Sequence, residues 1–363
     1  MSGGVFGASV AWHLACERVD VVVVERAHEG RATSAGAGIV CTWTSKVTDP
    51  VWYDLAAAAG RYYPTLIDLL GEDGQHEIGY RKVGSIVAPS GEAALDAAEH
   101  LIRQRAVAAP EAGAVSRLTP AEARELFPPL RTDLGAVHIA GAARVDGRLL
   151  ASSMLAAAQK RGARIISGLA EPVKVAGAVR SVRVDGETLG ADKVVVTGGA
   201  WGPALLAPLG VALRVAPQRG QIIHLRLPGT DTTRFPVVQP LNDHYLLAFD
   251  DSRVVVGATR ETGSNFDYRV TAAGVAEVLD RALSFAPGLA NATLHEIRIG
   301  FRPISADGRA FIGPVLHIEG LLIGNGLGPS GLTLGPFAGR LLAQLALGTR
   351  PDLDVTHFDP LRR

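Results

Sequence analysis

The sequence predicts an α/β protein in which a nucleotide-binding unit is interleaved with an α+β region built on a mostly antiparallel sheet. Three observations predict it. The chain begins with a glycine turn, a helix and a valine strand that ends in an acid, the order of a dinucleotide-binding βαβ unit. Several strand-like runs then follow one another without helices between them, at Gln221–Leu227, Tyr245–Phe249 and Val254–Ala258. No internal repeat or low-complexity linker marks a boundary, so the two parts exchange the chain several times.

The composition fits this reading. At 363 residues the chain has room for about two domains of ~150 residues. It is 47% hydrophobic and 20% charged, which suits a substantial core. Lys+Arg and Asp+Glu both number 36, so no global field favours nucleic acid. The two cysteines, Cys16 and Cys41, are spaced for neither a metal site nor a disulfide framework, and a reducing cytoplasm is the simplest setting. No apolar run approaches the ~20 residues of a membrane span. A peripheral membrane contact stays open.

Gly3-Gly4-Val5-Phe6-Gly7 leads into a helix through about Ala15, then Val21-Val22-Val23-Val24 and Glu25. Gly4 lets a backbone approach a pyrophosphate at the helix N-terminus, and Gly7 lets helix and strand pack closely. Glu25 stands at about the ~20-residue distance expected of an acid that binds a ribose hydroxyl, and it would repel a 2′-phosphate. Ser2 occupies the place of the first glycine of G-x-G-x-x-G, and no strand precedes the turn.

Further elements follow from local signals. Val51–Leu70 reads as helical, with Pro64 ending or kinking it. Tyr80–Pro89 reads as one strand, followed by a helix over about Glu92–Arg105. Thr119-Pro120-Ala121-Glu122 is a capping box with proline at the first helical position. Ala136–Ala140 is extended, and Arg148–Arg161 is an amphipathic helix closed by Gly162. Lys193–Thr197 is an apolar strand entering Gly198-Gly199-Ala200-Trp201, and a helix covers about Ala272–Ala286. The last helix starts near Leu332 or at Pro336.

Four segments in this order carry a family resemblance: Arg31–Val40 (RATSAGAGIV), Val194–Trp201 (VVVTGGAW), Gly300–Pro314 (GFRPISADGRAFIGP) and Ile323–Pro336 (IGNGLGPSGLTLGP). Together with the opening they resemble the FAD-dependent D-amino-acid oxidase superfamily, near its glycine oxidase, sarcosine oxidase-like and D-amino-acid dehydrogenase members. The resemblance runs from Gly3 to about Leu347. It implies a Rossmann-like FAD-binding domain over 1–78, 134–212 and 298–363, and a substrate domain over 79–133 and 213–297. It implies noncovalent FAD, since no cysteine lies near the C-terminal motifs where sarcosine oxidases attach theirs.

The cofactor residues so implied are Gly3, Gly4, Gly7, Glu25, Arg26, Thr33, Ser34, Gly38, Val173, Gly198, Gly199, Trp201, Gly326, Gly328, Ser330, Gly331, Leu332 and Thr333. Small and hydroxylated residues at Thr33–Gly38 can reach phosphate oxygens. Donors at the start of the last helix favour negative charge on a reduced flavin. The resemblance makes Arg302 the residue that grips a substrate carboxylate; the rival reading is a structural ion pair, for instance with Asp307. It also suggests a carboxylate- or pocket-facing catalytic role for Tyr245, the rival reading being an ordinary strand tyrosine. His224 and His244 read as surface or core, Cys41 as a buried small residue, and Trp43 and Trp201 chiefly as packing.

The implied activity is oxidation of the C–N bond of a small amino acid, with hydride transfer to flavin N5 and hydrolysis of the imine. The electron acceptor is oxygen or a quinone-type carrier, and the oligomeric state is not legible. No metal is expected. Oxidation of a 2-hydroxy acid or of a carboxylate-free amine remains open on the same scaffold, and so does a chain that binds no FAD. Arg18 stands where the family has a glycine closing its first helix. With the absent strand, it suggests a start roughly ten residues upstream, given strands of ~5–6 residues, and weaker FAD binding by a chain begun at Met1.

Overall fold

The computed structural model describes residues 3–362. Ser2, with its place in the glycine turn, lies outside the described residues.

The nucleotide half is built around helix α1 (Val5–Cys16). Ten of its twelve residues are buried, as expected of a helix apolar on every face. It packs against α5 (Gly147–Lys160) and α8 (Gly331–Leu347). α1 and α8 touch closely because α8 presents Gly339, where a Cβ would lie 2.4 Å from Ser9. Arg18, just past the end of α1, has φ +59, a left-handed conformation that favours glycine. The strand Val22–Glu25 pairs in parallel with Arg164–Ser167, and Val194–Val196 pairs in parallel with Leu321–Asn325. Among the described residues no strand joins these two parallel pieces.

The other half is a nine-stranded sheet, antiparallel except where Val237–Gln239 meets Ser85–Val87. Its backbone is the pair Val215–Arg226 and Thr293–Ser305. Helix α7 (Ala272–Phe285) covers it, started by Thr271, whose side chain accepts from Gly274 N. Val278, Ala282, Leu246 and Val254 share one core there. Ala136–Ile139 pairs into this sheet, although the sequence assigned 134–212 to the cofactor domain.

Several expectations are met closely. The capping box forms, with Thr119 Oγ1 accepting from Glu122 N and Glu122 Oε2 accepting from Thr119 N. Gly162, at φ +104, follows the end of α5. Others are corrected. α2 (Pro50–Glu72) runs unbroken through Pro64. The expected single strand at Tyr80–Pro89 is two, Arg81–Lys82 and Ser85–Val87. It breaks at Gly84, with φ +75 and His138 where a Cβ would stand. Of the two expected starts of the last helix, the one near Leu332 is met: α8 begins at Gly331, and Pro336 lies in its interior.

Candidate active site

One cavity of about 960 Å³ joins the two halves, at the upper end of the ~300–1,000 Å³ usual for ligand sites. Two helix N-termini face it. α1 starts at Gly4 with no side-chain cap, and Val5 N donates to Thr33 Oγ1 at 3.0 Å, so the hydroxyl of the small-residue loop sits over the first turn. α8 also lacks a side-chain cap, and Gly331, Leu332 and Thr333 lie on the wall. Uncapped first turns present backbone donors to an anion.

Glu25 ends its strand at the same cavity. Its carboxylate accepts from Gly3 N and pairs with Arg31 at 3.0 Å. On the opposite wall, Val194–Val196 leads into Gly198 and Gly199. Asn325 ties this end to the neighbouring strand: Nδ2 donates to Gly199 O at 2.9 Å, and Oδ1 accepts from Gly326 N at 2.7 Å. Gly38 has φ +90, and a Cβ there would lie 1.8 Å from Val145 O. These features fit a dinucleotide: two donor-bearing helix ends, a hydroxyl between them, and a carboxylate at the strand end.

Arg302 reaches the cavity from the strand Thr293–Ser305. Nη1 donates to Thr259 O at 2.9 Å and to Gln218 Oε1 at 3.4 Å. Among the described residues it has no carboxylate partner. Asp307 instead pairs with Arg362 at 2.7 Å, which removes the rival structural pairing. Burial lowers the Arg302 pKa, and the nearby Tyr245 raises it. A guanidinium remains charged in such a place and favours an incoming carboxylate. Tyr245 faces the same space, its hydroxyl without a hydrogen-bond partner among the described residues; burial pushes its pKa up to about 12, so it stays a donor.

Arg302, Tyr245, Gly4, Glu25, Arg26, Thr33, Gly38, Gly198, Gly199, Trp201, Gly326, Gly328, Gly331, Leu332 and Thr333 all line this one cavity. Gly3, Gly7, Ser34, Val173 and Ser330 do not. Gly3 touches it through Glu25, and Val173 is turned away because alternation on Ala170–Val175 gives Ala170 and Pro172 to the wall. His224 and His244 are off the wall, and so is Cys41. His28, Asn325, Arg260 and Asp243 were not singled out by sequence. His28 lies flat against Trp201, ring centres 4.4 Å apart.

A family model described as FAD dependent oxidoreductase (DAO) matches residues 3–345. The chain belongs to the DAO family of FAD-dependent oxidoreductases. The structure of iminodiacetate oxidase from Chelativorans sp. BNC1 is similar, with a TM-score of 0.97 and 51% identity over 99% of this chain and 97% of that one. An uncharacterised oxidoreductase of Bacillus subtilis, YurR, is 45% identical across 99% of this chain and 97% of its own length. Glycine oxidase of Geobacillus kaustophilus is 30% identical, covering 100% and 96%. The cofactor of this DAO-family chain is FAD. Among the described residues there is no cluster able to hold a metal ion, and no helix long and apolar enough to cross a membrane.

Proposed function

We propose that this chain oxidises the C–N bond of a small amino acid of the glycine or N-substituted glycine kind, or a D-amino acid. The observation that carries the reading is Arg302, a charged side chain at the cavity with no carboxylate partner among the described residues. The names of the similar iminodiacetate and glycine oxidases support it.

FAD, when bound, supplies the two-electron acceptor. The chain's own residues do the rest. Arg302 and the protonated Tyr245 hold the substrate carboxylate, which fixes the α-carbon and lowers the entropy of reaching the reacting geometry. The α-amine must arrive neutral, with its lone pair free. The amine loses two electrons and two protons to become an imine, and water then releases the carbonyl product. Burial around Arg302 lowers the local dielectric, which strengthens the Arg302–carboxylate contact. The acceptor that recycles the cofactor is oxygen or a quinone.

We assign 1–78, 134–212 and 298–363 to the FAD domain and the remainder to the substrate domain, except that Ala136–Ile139 contributes its strand to the substrate-domain sheet. The strand Thr293–Ser305 crosses from one to the other with Arg302 near its end. Noncovalent binding is supported by Cys16 and Cys41, both free and both off the wall. The free thiols also suit a cytoplasmic enzyme.

Arg302→Ala should raise KM for the amino acid by about 10- to 150-fold, as expected for charged hydrogen bonds of ~1.5–3 kcal/mol, with the flavin spectrum retained. An unchanged KM for every carboxylate substrate would overturn the assignment. Anaerobic bleaching with amino acids, simple amines and 2-hydroxy acids checks the bond that is oxidised; bleaching by hydroxy acids alone would refute the amine reading.

A further inference from the structure

One extra residue interrupts the sheet beside Arg302. Gly257 stands opposite Ile222 and Glu261 opposite Arg219, so four steps along one chain segment span three along its neighbour. The result is a bulge between the strands Arg253–Gly257 and Glu261–Thr262, a device that re-aims groups next to a site. Thr259 sits in it, fully buried but off the cavity wall. In a regular antiparallel pair, Gln221 would exchange both of its hydrogen bonds with the backbone opposite. Here Gln221 O accepts from Thr259 N at 3.3 Å, but Gln221 N donates to the Thr259 hydroxyl, at 2.9 Å. The hydroxyl takes the place of a carbonyl in the ladder. The Thr259 carbonyl is thereby released, and it accepts from Arg302 Nη1 at 2.9 Å.

The hydroxyl is itself held. It donates to Glu261 Oε1 at 2.7 Å, which also accepts from Gln221 Nε2 at 2.8 Å. Glu261 Oε2 accepts from Arg219 Nε at 3.0 Å, and the buried Arg219 pairs with Asp267 as well, at 2.9 Å. Gln218 Oε1 is the second acceptor on Nη1 of Arg302, at 3.4 Å, and Gln218 Nε2 donates to the Thr262 hydroxyl at 3.1 Å. Both Nη1 hydrogens are thus used. The Nε–Nη2 edge, without a partner among the described residues, is the two-donor fork left for a carboxylate.

We infer that Thr259 is a positioning residue: its hydroxyl, locked by Glu261, frees the carbonyl that turns the Nε–Nη2 edge of Arg302 toward the substrate carboxylate. The inference rests on Arg302 as the carboxylate anchor, and Thr259 acts only through that guanidinium. Without the hydroxyl, Gln221 N is a buried donor that must recruit the carbonyl of residue 259, and Nη1 loses its acceptor.

Methoxyacetate, a carboxylate with no C–N bond to oxidise, and methoxyacetamide, its uncharged counterpart, probe the fork directly. Their binding to the holoenzyme is read from the flavin absorbance. Thr259→Val and Thr259→Ala delete the hydroxyl, the first at nearly constant volume. Each should lower the preference for methoxyacetate over the amide by at least about tenfold, the scale of one hydrogen bond to a charged group. Thr259→Ser, which keeps a hydroxyl, should retain the preference. In turnover, KM for the amino acid should rise by the same factor in the deletion variants while kcat holds. A full preference in a deletion variant that binds FAD, or a loss in Thr259→Ser as large as in Thr259→Val, would overturn the inference. Arg302→Ala, measured beside them, separates the two readings. A preference lost in Arg302→Ala but intact in the Thr259 deletions ends the role of Thr259 and leaves the carboxylate anchor standing. A preference intact in all of them overturns both.

Discussion

Gly220 lies beneath the Arg302 guanidinium, where a Cβ would come within 2.5 Å of Nη2 and 2.6 Å of Nη1. The neighbouring strand therefore has to lack a side chain there for the guanidinium to lie across it toward Thr259 O. Gly220→Ala should push the guanidinium off this bed. KM for carboxylate substrates should rise at least about tenfold, one lost hydrogen bond to a charged group, with FAD content unchanged. Steady-state kinetics beside the flavin absorbance would show it, and an unaltered KM would mean that the guanidinium's seat is not set by Gly220. At this scale Arg302 was legible because Phe301 and Pro303 frame it in a recognisable segment. Gly220 and Arg260 were not, since nothing around them in the chain distinguishes a glycine under a guanidinium, or an arginine on a cavity wall, from any other.

Helix α8 shows why its start could be read two ways. Pro336 has no N–H, so the carbonyl of Leu332, four residues earlier, loses its helical donor. Tyr63, fully buried on α2, donates its hydroxyl to Leu332 O. Ser9 Oγ on α1 donates to Pro336 O at 2.6 Å. The helix therefore continues through the proline, and its first turn stays at the cavity. Tyr63→Phe leaves a buried carbonyl unpaired and should destabilise the protein by about 1–3 kcal/mol, measured by urea unfolding; no loss would mean that the carbonyl finds another donor. Local chemistry decided the elements that close on themselves, such as the capping box at Thr119. The hairpins over Ala170–Gly190 carry their own local signal in the chain. Ala176-Gly177 and Asp185-Gly186 both have positive φ throughout, as two-residue hairpin turns of this kind require.

Across the whole molecule, two histidines, half-buried His13 and buried His224, link stability to pH. Burial lowers His13 to about 4, and it is held by Ser9 O and Tyr62 at the α1–α2 contact. Burial, and then Arg298 and Arg253, lower His224 to about 3 at the seam between the halves; Glu296 opposes the shift, and Arg148 adds to it. In the unfolded chain both would titrate near 6.5. Below that pH the unfolded state binds protons that the native state refuses, so stability must fall as pH drops from about 6.5 toward the native values. Urea midpoints should therefore decline between pH 7 and pH 4. His224→Gln should flatten that decline; an equally steep one would place its origin elsewhere. Asp307, lowered to about 2 chiefly by Arg362, loses its contribution at more acid pH.

The order of chemistry along the chain was determined by sequence alone: a glycine turn, an acid at a strand end, a hydroxylated loop, an arginine between Phe301 and Pro303, and a glycine loop before the last helix. Each of these is a local requirement of backbone approach, charge or capping, and local requirements leave local marks. Tertiary structure alone decided which side chains meet. Arg302 was freed of Asp307 because Arg362 took that carboxylate, and a donor from α2 completed a proline-bearing helix. Arg260 came to the same wall as Arg302 because the strands pair in this register. Those outcomes depend on contacts between residues far apart in the chain, for which no neighbouring residue carries a signal.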